Sequence, residues 1–233
     1  STAFGLSSFL PFNKNFFKMN RRVRTAHIGV GGMGLNDLKA ISSHKNVEVT
    51  ALCDVDSKLL NQALKFFPKA KVFRDYRVLL NNLDNEIDAV VISTPDHTHG
   101  PASIMAMKKG KSVYCQKPLT NNVLEAREIS KISFEKKLVT QMGIQVHSFY
   151  DYKLAKLLIQ DGIVGKIHTV RAWCPKNWGF DGKLPKKEDN IPENLDWNLW
   201  LGTSPYKKYL ENQYHQYNWR KMVGFGCGTL GDM

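Results

Sequence analysis

From Val23 onward the chain alternates two kinds of pattern. Short, almost continuous apolar runs such as TAHIGV, VEVTALCDVD and DAVVISTP carry no helical period and read as buried strands. Between them lie segments whose apolar residues recur at helical spacing. GMGLNDLKAISSH places Leu35, Leu38 and Ile41 on one face, and SKLLNQALKFF is a helix stopped by Pro68. AKVFRD, KSVYCQKP and LVTQMGIQ read as further strands, and YRVLLNN and NVLEAREISKISFEKK as further helices. GPASIMAMKKG has proline near its start and glycine at its end, the asymmetry expected of a helix. Strands alternating with helices predict parallel pairing through right-handed crossovers. Strands so uniformly apolar predict a sheet covered on both faces. The expectation is an α/β fold, a doubly wound parallel sheet of about six strands, over residues 23–143.

The texture then changes. FYDYKLAKLLIQDG reads as a helix and GKIHTVRAW as a long strand. A Pro- and Lys-rich loop follows, and then the aromatic stretch LDWNLWLGTSPYKKY. Residues 144–233 are therefore expected to begin a second, α+β domain. Ahead of the sheet, residues 1–22 are rich in Ser, Phe and Asn. They read either as the remnant of an export signal or as a strap on the body. The compartment, exported and periplasmic or cytoplasmic in a bacterial-type cell, stays open on this reading.

Composition narrows the classes. Hydrophobic residues make up 42% and charged residues 23% of the 233, which is globular composition. No apolar run reaches the roughly 18 residues of a membrane span. The formal charge is +12, but its basic residues recur as scattered pairs, from Arg21-Arg22 to Lys207-Lys208. That pattern reads as a solvated surface, and no nucleic-acid-binding signature accompanies it. None of the four cysteines stands in C-x-x-C spacing, so neither a zinc site nor a redox pair is expected. Cys53 and Cys115 end apolar runs and read as small buried hydrophobes.

The first chemistry lies after the first strand. Gly29, Gly31 and Gly34 form G-x-G-x-x-G, with Gly32 and Met33 inside it. The loop leaves a strand and opens a helix. Gly29 permits the tight turn, Gly31 lets the backbone approach a pyrophosphate, and Gly34 lets the helix pack close to the sheet. The helix N-terminus offers free N–H groups and partial positive charge to phosphates. Asp54 follows Gly34 by 20 residues, at the end of the second strand, where a carboxylate accepts from a ribose 2′-OH and repels a 2′-phosphate. No arginine follows it closely. NAD is thus expected in preference to NADP.

Two further stretches carry a family resemblance. Thr94-Pro95-Asp96 with His99, and Gln116-Lys117-Pro118, follow the glycine loop in the order and spacing of the Gfo/Idh/MocA oxidoreductases. The resemblance covers about residues 23–233 and implies a Rossmann domain followed by an α+β substrate domain. It implies that Ser93, Thr94 and Pro95 line the nicotinamide pocket and that His99 is structural or close to the cofactor. It also implies that Lys117 contacts both nicotinamide ribose and substrate, where a cationic amine stabilises a developing alkoxide. The family's glutamate before that lysine is Gln116 here, which cannot act as a charged partner. GTLGDM resembles the start of the family's Asp-x-x-x-His motif and places Asp232 on its aspartate. The histidine of that motif, the usual general base, has no position in this chain, and the second domain reads as incomplete.

His97 and His99 could be read as a metal pair, but no acidic or cysteine ligand is grouped with them, so no metal is expected. On the substrate side Gln145, His147, Trp178, Trp219 and Arg220 are candidates, since aromatic rings suit sugar faces and arginine suits hydroxyl or carboxylate groups; each also suits plain packing. The resemblance implies an NAD-dependent oxidoreductase acting on a sugar, polyol or related hydroxyl compound, and a homo-oligomer when the second domain is whole. A glycoside hydrolase that holds NAD for transient oxidation, and a nucleotide-binding chain without catalysis, are the alternatives.

Overall fold

The computed structural model describes residues 22–179 and 182–233; the expected export remnant, residues 1–22, lies outside them save for its last residue. Six strands form one parallel sheet: β1 (Val23–Ile28), β2 (Val47–Cys53), β3 (Lys71–Phe73), β4 (Ala89–Ile92), β5 (Ser112–Gln116) and β6 (Thr140–Gly143), in the order β3-β2-β1-β4-β5-β6. The order reverses between β1 and β4, so the crevice beyond their carboxyl ends is where a ligand binds in such a sheet.

Helices cover both faces. On one, Leu38 of α1 (Met33–Ser42) and Leu60 and Ala63 of α2 (Ser57–Leu64) close over Val30 and Leu52. On the other, Leu79 and Leu80 of α3 (Tyr76–Asn82), Ala102 and Met107 of α4 (Asp96–Lys108), and Ile129 and Ile132 of α5 (Val123–Lys136) pack on Ile28, Val90, Ile92 and Cys115. Both faces are covered over the central strands, which is why these read as nearly continuous apolar runs, while the edge strands β3 and β6 stay largely exposed. Cys53 and Cys115 are buried, and burial pushes the Cys115 thiol up to about 12.

Two departures from the sequence reading stand out. First, α4 begins at Asp96, not at Gly100, with Pro95 as its N-cap. His97 and His99 therefore lie on a buried helical turn and not in a loop. Second, GKIHTVRAW forms no strand: residues 165–173 have no regular structure and are exposed throughout. A strand needs a neighbour's backbone ladder, and among the described residues none lies alongside. The helix before it, α6 (Tyr150–Gln160), forms but buries none of its residues.

A second core stands beyond the sheet. Trp197 and Trp200 of α7 (Trp197–Leu201) stack at 4.7 Å, with Tyr209, Tyr214, Trp219 and Phe225 around them. It is fastened to the sheet edge: Asp196 N–H donates to the Val55 carbonyl at 3.0 Å and Ser57 N–H to that of Asn194 at 2.8 Å. The His97 ring lies 5.2 Å from Trp200 and 5.1 Å from Phe225. The described chain ends on a short helix, α8 (Gly228–Asp232).

Candidate functional site

A cavity of about 440 Å3 opens at the carboxyl edge of the sheet, walled by the glycine loop on one side and the second core on the other. The loop is built by exclusion. Gly29 has φ +80°, and a Cβ there would lie 2.7 Å from the Ser93 carbonyl oxygen. A Cβ on Gly34 would lie 2.0 Å from the Gly29 carbonyl oxygen, so only glycine lets α1 start this close to β4. Among the described residues the amides of Gly31, Gly32 and Met33 donate to no protein group. Three free donors at the positive end of a ten-residue helix fit a pyrophosphate.

Asp54 is buried on the cavity wall. Its Oδ2 accepts from Val30 N–H and its Oδ1 from Asp56 N–H, each at 2.9 Å. Burial pushes its carboxyl up, against the pull of these two bonds. It thus braces the glycine loop as well as facing the cavity. Sequence reasoning missed its neighbour Arg74, which parallel pairing of β2 and β3 brings to the same wall. The Arg74 guanidinium donates to the carbonyls of Val55 and, at 3.1 Å, Asn194. Asp56 caps α2 and accepts from His215 Nε2 at 3.0 Å and Asn194 Nδ2 at 2.7 Å. Burial works against the Asp56 charge, and these donors together hold its carboxyl below the usual range.

At the other end of the cavity Ser93, Thr94, Pro95, Gln116 and Lys117 converge. Lys117 reaches Asp232: its Nζ donates to Oδ1 at 2.9 Å and also to the backbone carbonyl. Lys176 Nζ stands 3.2 Å from Oδ2, Trp178 Nε1 donates to the same oxygen at 2.9 Å, and Arg220 Nε lies 3.5 Å from Oδ1. Burial pushes the Asp232 carboxyl up, but Lys117 and Lys176 outweigh it and hold it at about 2. The Arg220 guanidinium also lies over Trp219, 4.3 Å from its centroid. Lys176 carried no signal in the sequence beyond one more basic residue in a loop.

Not every expected residue arrives. Gln145 lines the cavity and donates to the Met33 sulfur at 3.4 Å. His147 does not; it stacks on Tyr152 at 5.5 Å on the exposed side of its turn. His99 is fully enclosed between the carbonyls of Pro118 and Thr94, at 2.7 and 2.8 Å, and burial lowers its pKa despite them. It ties β4 to the turn after Lys117. His97 ties α4 to the second core, through Trp200 O at 2.8 Å and its own N–H to Phe225 O at 3.2 Å. Asp96, beside it, accepts from Cys227 N–H at 3.0 Å, and burial pushes its carboxyl to about 6. Among the described residues no group of three or more His, Cys, Asp or Glu is placed to hold a metal.

Comparison with known proteins agrees with this geometry. Residues 23–144 match the model described as "Oxidoreductase family, NAD-binding Rossmann fold", and residues 150–233 match "Oxidoreductase family, C-terminal alpha/beta domain". An inositol 2-dehydrogenase of Rhodococcus jostii is 33% identical over 73% of this chain and 48% of its own length. A glycosyl hydrolase family 109 protein of Stenotrophomonas maltophilia is 37% identical over 74% of this chain and 40% of its own. The crystal structure of a myo-inositol 2-dehydrogenase from Lactobacillus plantarum superposes with a TM-score of 0.59 at 28% identity, over 63% of this chain and 43% of that one. The chain thus spans less than half the length of each of these relatives.

Proposed function

Since the chain belongs to the Gfo/Idh/MocA oxidoreductase family, we propose that it moves a hydride between NAD and a hydroxyl-bearing carbon of a sugar, polyol or related compound. One observation carries this reading. Lys117, from the nucleotide-binding sheet, meets Asp232, from the second domain, on the cavity that begins at the glycine loop. When bound, NAD supplies the hydride acceptor, and the chain's own groups do the rest. The free amides of Gly31, Gly32 and Met33 hold the pyrophosphate. The Asp54 carboxylate takes a ribose hydroxyl and repels a 2′-phosphate. Arg74, the nearby cation, is already engaged by two backbone carbonyls. Lys117 orients the reacting hydroxyl and stabilises negative charge developing on its oxygen. Asp232 fixes the ammonium, and the Trp178 ring offers a flat face to a sugar, with Trp219 buried behind Arg220. In this reading the exposed apolar side of α6 is where self-association through the second domain begins.

The test is substrate-dependent NADH formation across a panel of polyols and sugars. Lys117→Ala should abolish it, and retained activity would remove the assigned role. A second reading has its own support in the Stenotrophomonas relative: cleavage of a glycoside with NAD retained and no net redox change. Release of phenol from an aryl glycoside without NADH build-up would select it.

A further inference from the structure

Position 116 departs from the family pattern, and the structure supplies a reason. Gln116 ends β5 and is buried. Its Nε2 donates at 2.8 Å to Oδ2 of Asp37, which projects from α1 and is only 7% exposed. The same oxygen accepts from Ser93 Oγ at 2.7 Å. An amide N–H and a hydroxyl thus converge on one acceptor oxygen of a carboxyl group. A glutamate at 116 would bring two carboxylates to that separation, and like charges so close in a buried site do not both ionise. Gly143 of β6 makes room for this amide, since a Cβ there would lie 2.9 Å from Nε2.

We propose that Asp37 is a positioning residue of this site, and that the negative charge the family resemblance assigns to position 116 has moved across the cavity floor to position 37, with Gln116 now its donor. Asp37 does not line the cavity. It acts through Ser93 and Gln116, which do, and through Gln116 on the backbone that leads into Lys117. Gln116 is then half of an exchanged pair, and the departure from the family pattern is no sign of a dead site. The inference rests on the cavity's being the NAD site.

The surroundings set the sign of the pH effect. Just after β4 the pair meets the neutral Ser93, from β6 Gly143 and from β5 Tyr114. Burial first, and then the Asp37 charge, push the Tyr114 hydroxyl up. Lys117 follows Gln116 directly. Burial pushes Asp96, at the head of α4, up to about 6, so each variant's profile is read against the wild type.

The experiment is a fluorescence titration of NADH at pH 6 and pH 8.5 against wild type, Gln116→Glu and the double variant Asp37→Asn/Gln116→Glu, with thermal midpoints in parallel. In Gln116→Glu the pair shares a proton at low pH and is strained as pH rises. NADH affinity should therefore hold near wild type at pH 6 and fall about tenfold or more at pH 8.5. The double variant restores one donor and one carboxylate with their places exchanged. It should return the affinity to within about threefold of wild type and flatten the pH dependence. Gln116→Glu that binds like wild type at both pH values, or a double variant no better than the single, overturns the proposal. Wild type that binds no NADH at either pH sinks the cofactor reading instead. The midpoints then still report the pair: a pH-dependent loss in Gln116→Glu that the double variant repairs keeps the exchange, and its absence removes it.

Discussion

Two helices of similar kind have opposite fates. α5 and α6 both carry apolar residues at helical spacing. α5 presses Ile129 and Ile132 onto the sheet, at 6% and 5% exposure. α6 leaves Leu154, Leu157, Leu158 and Ile159 between 38% and 61% exposed. The pattern that makes a helix amphipathic does not supply the surface it needs. A helix under about 12–15 residues draws most of its stability from packing, so α5 is a structural member and α6 depends on a partner. The aromatic core of residues 195–225 stands between them, packed within itself and fastened to the sheet at Val55, Ser57 and His97.

Substitutions can break that comparison, beginning with the largest effect. Phe225→Ala empties the centre of the aromatic core, where the ring is fully buried among Trp200, Tyr214 and His97. It should cost about 3–5 kcal/mol, read by urea unfolding. A cost below about 1 kcal/mol would show that this core is no firmer than α6. Leu80→Ala, in the core beneath the sheet, should cost about 2–5 kcal/mol. Gly29→Ala should come next, since a positive φ and a backbone clash combine to store roughly 1–3 kcal/mol; NADH affinity should fall with it, and unchanged titration would undo the loop assignment. The seam between the regions should respond to pH. Asp96 is raised from 3.8 to about 6, so its contribution is complete below 3.8 and is lost as pH rises through 6. Asp96→Asn should flatten the thermal midpoint over that window; a slope unchanged from wild type would acquit this carboxyl. Asp232 has the opposite sign: its contact with Lys117 is present above 3.8 and lost as pH falls toward 2. Smallest of all, Leu157→Ala on α6 should change stability by no more than about 0.5 kcal/mol. A cost matching that of Leu80→Ala would mean that something covers α6 in solution.

What the sequence disclosed follows the same division. The central strands β1, β2, β4 and β5 announced themselves because helices cover both of their faces, whereas the edge strands β3 and β6 stay largely exposed. The glycine loop and Asp54 were legible because their spacing is local to one strand–helix–strand unit. Asp37 was silent as a site residue, since its donors Ser93 and Gln116 lie 56 and 79 positions away. Arg74 reaches the cavity only through the pairing of β2 with β3, and Lys176 only through Asp232. GKIHTVRAW alternates like a strand, but alternation names a face and not a neighbour. His147 sits close in sequence to Gln145, yet the turn that aims Gln145 at Met33 leaves His147 against Tyr152.

Residues 215–220 cross the front of the nucleotide cleft. His215 is pinned to Asp56, and the Tyr217 hydroxyl stands 3.3 Å from where a Gly32 side chain would begin. The His215–Asp56 contact thus fastens the second core to the N-terminus of α2, so the wall facing the glycine loop is held by one ion pair from a distant part of the chain.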